Sequence, residues 1–499
     1  MNPATELTAL PNLTADILSD PQMPVDNLLA RLWKTMTLPT LLSRAGISKR
    51  SGLPAPDVVY LLLVWVWLKA SSIHLFSRDS LQGFADARKD VIYDFLKRED
   101  VNWRGLHLEI ARKAYQDHQL NRCQIKAFVA DDSVKIRTGK KTGGVSRHFD
   151  HLTGRSVKGQ QVLTLGLATE TTFIPLDQDI FISRVQVQPQ GFEDKRSRAA
   201  RRYKQAVEMT KPELLALAVK RAVRHGFEAD YFLADAWFGN KPTLRMAQDN
   251  SLTAVLRMKK DKMKYRYTSF KAGKKQVSLL TAVELFQQAV RKQWDKIPGT
   301  AYQAKTLKVE LNLAKNPSDP EHWITVSLQF VRGIEQVSKA KAGKHDWALF
   351  LCTDSALSPQ KVLEVYALRW GIEVYFKESK QHLGLLKEQT ITFASHLASI
   401  SLSAIRYLML VYVALEQDKR PSQVRTDLST GLMGLSFGQR LWGLFRCLIN
   451  NTIEQFRAEL GELADHILTA LERNINTFFM QALQLDHFTL ELEARPDKA

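Results

Sequence analysis

Three acidic positions and one cationic stripe carry the residue types that metal-assisted phosphoryl transfer requires. Asp131 and Asp132 follow the β-branched and aromatic run Ile125 to Ala130, and Asp235 follows the apolar run Ala229 to Ala234. Both runs read as strands, so both acids stand at strand ends. Glu373 lies in the helical pattern YALRWGIEVYFKESKQHLGL, Tyr366 to Leu385. Spacings of three and four residues place Tyr366, Arg369, Glu373, Lys377 and Lys380 on one stripe, beside an apolar stripe of Val365, Leu368, Ile372, Tyr375 and Phe376. One carboxylate among cations suits a phosphate and a metal, whereas a solvated helix face usually alternates opposite charges. Hard carboxylate oxygens suit Mg²⁺, with Mn²⁺ as a substitute. Two such ions would activate water or a 3′-hydroxyl and stabilise the leaving oxygen in an in-line displacement. Carboxylate pairs also serve glycosidases, but a chain of net charge +18 has little use for a neutral sugar.

The elements that must bring these residues together come from a chain of 499 residues, long enough for several domains. Seventy Lys and Arg against fifty-two Asp and Glu favour a polyanionic partner, with nucleic acid ahead of a membrane surface. The apolar run Val58 to Leu68 is too short to span a bilayer, and the run Leu397 to Leu415 carries Arg406 near its middle, so both read as buried core helices. The first twenty residues include acids and lack a basic start before an apolar block, which predicts no secretory signal and a cytoplasmic protein. Cys123, Cys352 and Cys447 lie far apart, without the clustering of a zinc site or a disulfide framework.

In chain order, residues from about Pro24 to Leu120 show helical periodicity, and Ser80 to Phe95 with Trp103 to Ala114 reads as packing helices or a helix-turn-helix pair. Strands begin at Ile125, and QQVLTLGLAT with TFIPLDQDIFIS forms a hairpin turning at Glu170 and Thr171. His148, Asp150 and His151 in the intervening polar loop read as hydrogen-bonding residues rather than ligands. The run KRSRAARRYK, Lys195 to Lys204, offers phosphate contacts or a solvated face. A helix opened by Pro212 closes near Gly226, and the segment after Asp235, AWFGN, reads as a strand-to-helix corner. The stretch MKKDKMKYRYTSFKAGKKQ interleaves cations with Tyr265, Tyr267 and Phe270, which suits backbone neutralisation with stacking or else a solvated basic loop. Strand-like runs at Ala304 to Leu313 and Trp323 to Val331 precede the buried strand of DWALFLCTD. A helix runs on from Pro359, and the C-terminal part is helical apart from a polar loop, EQDKRPSQVRTD, and the final LEARPDKA.

Tyr366, Arg369, Glu373 and Lys380 match the pattern Tyr, two residues, Arg, three residues, Glu, six residues, Lys. With Asp131-Asp132-Ser133, YFLADAWFGN and the loop GVSRHFDHLTGRSVKG, the stretch from Lys126 to Leu385 resembles the bacterial insertion-sequence DDE transposases of the cut-and-paste branch with the Tyr-Arg-Glu-Lys signature. The resemblance implies an α/β, multidomain protein with a ribonuclease H-like mixed-sheet core split by a β-rich insertion. Its parts are a helical, DNA-binding N-terminal domain (1–120), the first part of the core (121–258), the insertion (259–346), the second part of the core (347–415) and a helical C-terminal region suited to dimerisation (416–499). It further implies Asp131, Asp235 and Glu373 as catalytic metal ligands, with Asp132 as the alternative first acid. Tyr366, Arg369, Lys377 and Lys380 then grip DNA. Expected partners are double-stranded DNA at transposon ends and target, and a second copy of the chain in a paired-end complex, with no membrane. The implied reaction is nicking, hairpin formation, reopening and joining to target; a flipped base is held by an aromatic, for which Trp237, Trp294, Trp323 and Trp347 are candidates. The alternative is a catalytically inactive DNA-binding regulator of transposition.

Overall fold

Apolar residues alternate, or run together, in short segments between Lys126 and Cys352, and these segments form one mixed sheet. The structure, a computed structural model, describes residues 28–470 except 69, 71, 82–83, 86, 140, 151–153, 184–189, 272–273, 291–293, 317 and 334–345, and only scattered residues between 431 and 470. Contacts divide the chain into two units: His107–Ser379, and the residues up to Leu106 together with those from Lys380 onward.

The second of these units is helical. It contains α1 (Leu28–Thr35), α2 (Leu38–Arg44), α3 (Ala55–Val64), α4 (Ile73–Asp79), α5 (Lys89–Lys97), the first turn of α6 (Trp103–Asp117) and the 25-residue α13 (Phe393–Gln417). Helix α13 is apolar and long enough to cross a membrane, yet all its residues from Phe393 to Ala414 are buried in the protein. Arg406, its one internal charge, is fully buried and donates to the carbonyls of Leu62, Leu63 and Leu383, with its guanidinium over the Trp65 ring. Leu62 and Leu63 close α3, whose last carbonyls have no partner within their own helix, so the charge serves as an internal cap. The polar loop expected from residue 416 is shorter than its composition predicts: Asp418 ends α13 in the left-handed region (φ 51°), and helix resumes at Pro421. The C-terminal segment LEARPDKA lies outside the described residues.

The unit His107–Ser379 holds the sheet. Its strands are β1 (Lys126–Ile136), β2 (Ser146–Asp150), β3 (Arg155–Thr169), β4 (Phe173–Phe181), β5 (Tyr231–Ala234), β6 (Thr253–Arg257), β7 (Lys264–Lys271), β8 (Lys274–Thr281), β9 (Asp295–Lys296), β10 (Tyr302–Asn312), β11 (Trp323–Gly333) and β12 (Ala348–Cys352). They order as β2-β3-β1-β5-β6-β12-β11-β10-β7-β8, with β4 beside β3 and β9 beside β10. Strands β1, β5 and β6 are parallel neighbours, and β3 and β12 bound them antiparallel. Helices α7 (Arg198–Glu208), α8 (Lys211–Arg224) and α9 (Lys241–Asp249) follow in chain order, then the short α10 (Ala282–Leu285), α11 (Pro359–Ala367) and α12 (Trp370–Gln381). This is the expected mixed α/β, ribonuclease H-like architecture.

Several local expectations change. Strand β1 does not stop at Ala130: its parallel pairing with β5 ends there, but β3 continues to pair it to Ile136, so Asp131 and Asp132 lie inside the strand. The polar loop around His148 contains the edge strand β2, which turns the polar Ser146 and His148 inward and Arg147 and Phe149 outward, the reverse of the usual apolar-in pattern, and is held by β3. His148 accepts or donates a hydrogen bond with Ser146 Oγ at 3.0 Å, and burial, then Lys211, pushes its pKa down to about 4. His151 lies outside the described residues. Arg202 of the basic run is buried on Asp179 and the carbonyl of Gln178 instead of facing solvent or phosphate. The signature stretch is two helices, α11 and α12, not one. Leu368 and Arg369 turn between them through N–H bonds to residues three back, tighter than α-helical spacing.

Candidate active site

Strand register assembles the first two carboxylates. Strands β1 and β5 pair in parallel from Ala127↔Tyr231 to Ala130↔Ala234, and the next residue on each is an aspartate. Adjacent strands lie about 4.8 Å apart, so Asp131 and Asp235 stand side by side at the carboxyl end of the parallel pair, where open α/β sheets place their ligands. Burial and then the Asp235 charge push the Asp131 pKa from its ordinary 3.8 up to about 7, opposed by an N–H donated from Asp132 to Asp131 Oδ1 at 2.8 Å. Asp235 Oδ1 accepts from the N–H of Trp237 at 2.9 Å and of Phe238 at 3.4 Å, which fixes the corner after β5. Gly239 lets that corner approach β6: a Cβ there would lie 2.5 Å from the carbonyl of Arg257. Asn240 then caps α9 by accepting from Thr243.

Asp132 is turned away from this pair. Successive strand residues face opposite sides, and Asp132 accepts from Lys211 Nζ at 2.7 Å and Gln161 Nε2 at 2.6 Å. Lys211 is itself buried and lies 4.0 Å from the centroid of the Trp237 ring, so this second cluster supports the corner beyond Asp235.

Glu373 reaches the pair through Arg369. One guanidinium nitrogen of Arg369 bonds Glu373 Oε1, and another lies 3.5 Å from Asp131 Oδ2. Burial works against that guanidinium's charge, but Tyr366, Glu373 and Asp131 more than offset it. Gly371 sets the depth of α12, because a Cβ at that position would stand 2.8 Å from Cβ of Phe173 on β4. On the same helix Tyr375 Oη accepts from Gln178 Nε2 at 2.8 Å, tying α12 to β4 from within. Lys377 is exposed on α12, and Lys380 lies in its last turn.

The arrangement offers two carboxylates on neighbouring strand ends, hard ligands of the kind that suits a divalent cation. Among the described residues, no three His, Cys, Asp or Glu side chains are grouped closely enough to hold one ion together. Arg369 stands between Asp131 and Glu373, supplying positive charge there.

Tyr366 lies edge-on to Phe350, with ring centroids 4.8 Å apart, and lines a cavity of about 530 Å³ with Arg257, Arg332 and Trp347. A second cavity of about 400 Å³, lined by Ala236, Arg257, Lys259 and Lys260, adjoins the Asp235 corner. Arg257 is one step beyond the pair Ala234↔Leu256, beside Asp235. Its place at the end of LTAVLRM was a readable signal; Lys211 and Gln161, brought in by tertiary packing, gave none. Of the expected aromatics, Trp347 is buried against Phe286, Trp294 and Trp323 lie under Arg332 and Arg266, and Trp237 lies under Lys211. Trp370, next to Arg369 and 64% exposed, was not among the expected candidates.

Two family models match the chain. Residues 76–278, which include Asp131 and Asp235, match the family model described as DDE superfamily endonuclease. Residues 204–409, which include Asp235 and Glu373, match the Transposase DDE domain. No curated protein matches the chain. Over these two overlapping stretches the chain is therefore similar to DDE-superfamily endonuclease and transposase domains, which supports a nuclease-type enzyme.

Proposed function

We propose that the protein is a DNA transposase of the Tyr-Arg-Glu-Lys branch, which cuts at the ends of its insertion sequence and joins them to target DNA through a hairpin intermediate. The observation that carries this reading is the side-by-side placement of Asp131 and Asp235 at the ends of two parallel strands, with Glu373 linked to Asp131 through Arg369. Asp131, Asp235 and Glu373 are its catalytic carboxylates and would hold Mg²⁺ or Mn²⁺, which supplies an activated water or 3′-hydroxyl and stabilises the leaving oxygen. Asp132, already bonded to Lys211 and Gln161, is the weaker candidate for the first acid.

Tyr366, Arg369, Lys377 and Lys380 bind the DNA backbone. A phosphate gives Arg369 an alternative anionic partner, so DNA binding frees Glu373 and Asp131 to act on the scissile phosphate. The domain boundaries follow the sequence: 1–120, 121–258, 259–346, 347–415 and 416–499. Two copies, paired through the C-terminal helices in a bacterial cytoplasm, would hold both ends.

Cleavage of a labelled duplex carrying the flanking element's end tests the proposal, with wild type and Glu373→Gln compared with and without Mg²⁺. Nicks, hairpins and joined products from wild type alone, and only with the metal, are expected. Nicks without hairpins or joining would leave a simple endonuclease. Binding by both proteins without any cut would overturn the enzymatic reading.

A further inference from the structure

Beyond Lys259 and Lys260, the basic, aromatic segment that follows β6 takes no part in the site described above. It folds as a hairpin: β7 and β8 pair antiparallel from Lys264↔Thr281 to Lys271↔Lys274, and β8 is the outermost strand of the sheet order. Directly opposed residues share a face of the sheet. Tyr265 is buried and anchors one face. The other carries Lys264, Arg266 and Phe270 on β7, opposed by Leu279 and Lys275 on β8, with Val277 between them. Phe270 is 74% exposed, Val277 52% and Leu279 54%. Such apolar exposure on a terminal strand marks a surface made for contact.

Charge decides what it contacts. From Lys259 to Lys275 the chain holds eight cations, with Asp261 as the single acid. Two copies meeting through this face would bring like charges together, whereas a polyanion would be attracted. The segment also starts at the site: Lys259 and Lys260 line the cavity beside Ala236, and the chain passes from them into β7. Arg266 is held in place by Glu310 at 2.7 Å, with its guanidinium 4.0 Å from the centroid of the Trp323 ring, so the base of the hairpin is braced against β10 and β11.

We infer that the β7–β8 hairpin is a second DNA-binding surface, in which Lys264 and Lys275 neutralise phosphates and Phe270, with Val277 and Leu279, packs against the groove. Cations flanking an apolar wedge are the means by which β-ribbons grip and deform a duplex without reading its sequence. The inference rests on the reading of the chain as a DNA-cutting enzyme and assigns the part that holds the duplex away from the cut phosphate.

The test uses the full chain and a labelled duplex of mixed sequence, with affinity read by fluorescence anisotropy across a salt series. For Lys264→Ala/Lys275→Ala, the slope of log affinity against log salt should fall by about 1.8, two contacts at roughly 0.9 each. Phe270→Ala should weaken binding by about 5- to 100-fold and leave the slope unchanged. These side chains are exposed, so an unchanged melting midpoint shows that the variants fold. An unaltered slope in the two-lysine variant overturns the inference. So does a dimer that Val277→Asp/Leu279→Asp disrupts in sedimentation while DNA affinity stays the same. Metal-dependent cutting separates the two readings: if wild type binds through the hairpin but cuts nothing, the surface stands and the enzymatic reading fails. If wild type cuts but hairpin variants bind normally, the reverse holds.

Discussion

Replacing Asp131 by asparagine should remove cleavage and make the protein more stable. The carboxyl is largely buried beside Asp235, and its pKa rises from 3.8 to about 7. A rise of about three pH units corresponds to roughly 4 kcal/mol, taking 1.36 kcal/mol for each. The sign follows from proton uptake: between pH 3.8 and about 7 the folded protein holds a proton on Asp131 that the unfolded chain has released, so stability falls as pH rises through that window and stays lower above it. Asparagine carries no charge and escapes the loss, but it gives up the contact with Arg369, which at 3.5 Å is long. The net gain at pH 8 should be about 1–3 kcal/mol, a rise of several degrees in melting temperature for a unit of this size. At pH 4 the two proteins should melt together. A divalent cation should raise the midpoint of wild type at pH 8 and leave that of the variant nearly unchanged, because ligand binding stabilises only a protein that holds the ligand. Scanning calorimetry across this pH range, with and without Mg²⁺, measures all of this. A variant less stable than wild type at pH 8, or a difference of equal size at pH 4, would refute the reasoning.

Two further substitutions separate packing from propensity and charge from cap. Gly371→Ala should gain about 1 kcal/mol from helix propensity alone, but a Cβ 2.8 Å from Phe173 Cβ forces α12 outward, and overpacking costs about 1–3 kcal/mol. A lowered melting point with weakened cleavage is expected, and a raised one would show that α12 does not need its close approach to β4. Arg406→Met should cost about 2–4 kcal/mol by denaturant titration, since the carbonyls of Leu62, Leu63 and Leu383 lose their donor. An unchanged midpoint would show that the buried guanidinium, whose pKa burial lowers to about 10, stabilises nothing.

What the sequence shows of this site depends on the distance over which each feature is decided. Strand β5 and its aspartate were legible because four apolar residues end in Asp235 and a corner of Trp237, Phe238, Gly239 and Asn240, all local signals. The β3–β4 hairpin was legible for the same reason. The choice between Asp131 and Asp132 was not, because both follow the same strand run and the partners that distinguish them, a lysine from α8 and a glutamine from β3, come from distant elements. The break between α11 and α12 was also hidden. Three- and four-residue spacings fit one helix or two, and the glycine that marks the close approach, Gly371, finds its reason in Phe173 of a distant strand. Arg369 was legible as a cation on the stripe, but its position between two carboxylates is set by α12 packing on the sheet.

The same sheet explains how the strand before Asp235 and the strand that leads towards Glu373 come to lie on either side of β6 although a long, basic, β-rich stretch lies between them in sequence. Strand β12 returns antiparallel to β6 in the register Phe350↔Arg257, and the N–H of Met258 donates to the carbonyl of Leu349 at 2.8 Å. The two ends of the intervening chain are therefore hydrogen-bonded neighbours. Everything between them leaves the core at one point and returns at the adjacent strand, and β11, β10, β7 and β8 extend the sheet outward beyond β12. A change in the length of that excursion adds or removes strands at the far edge without moving β5 or the start of α11. The carboxylates can stay fixed by the register of β1, β5, β6 and β12 while the outer strands, and the hairpin they carry, are free to specialise in what they touch.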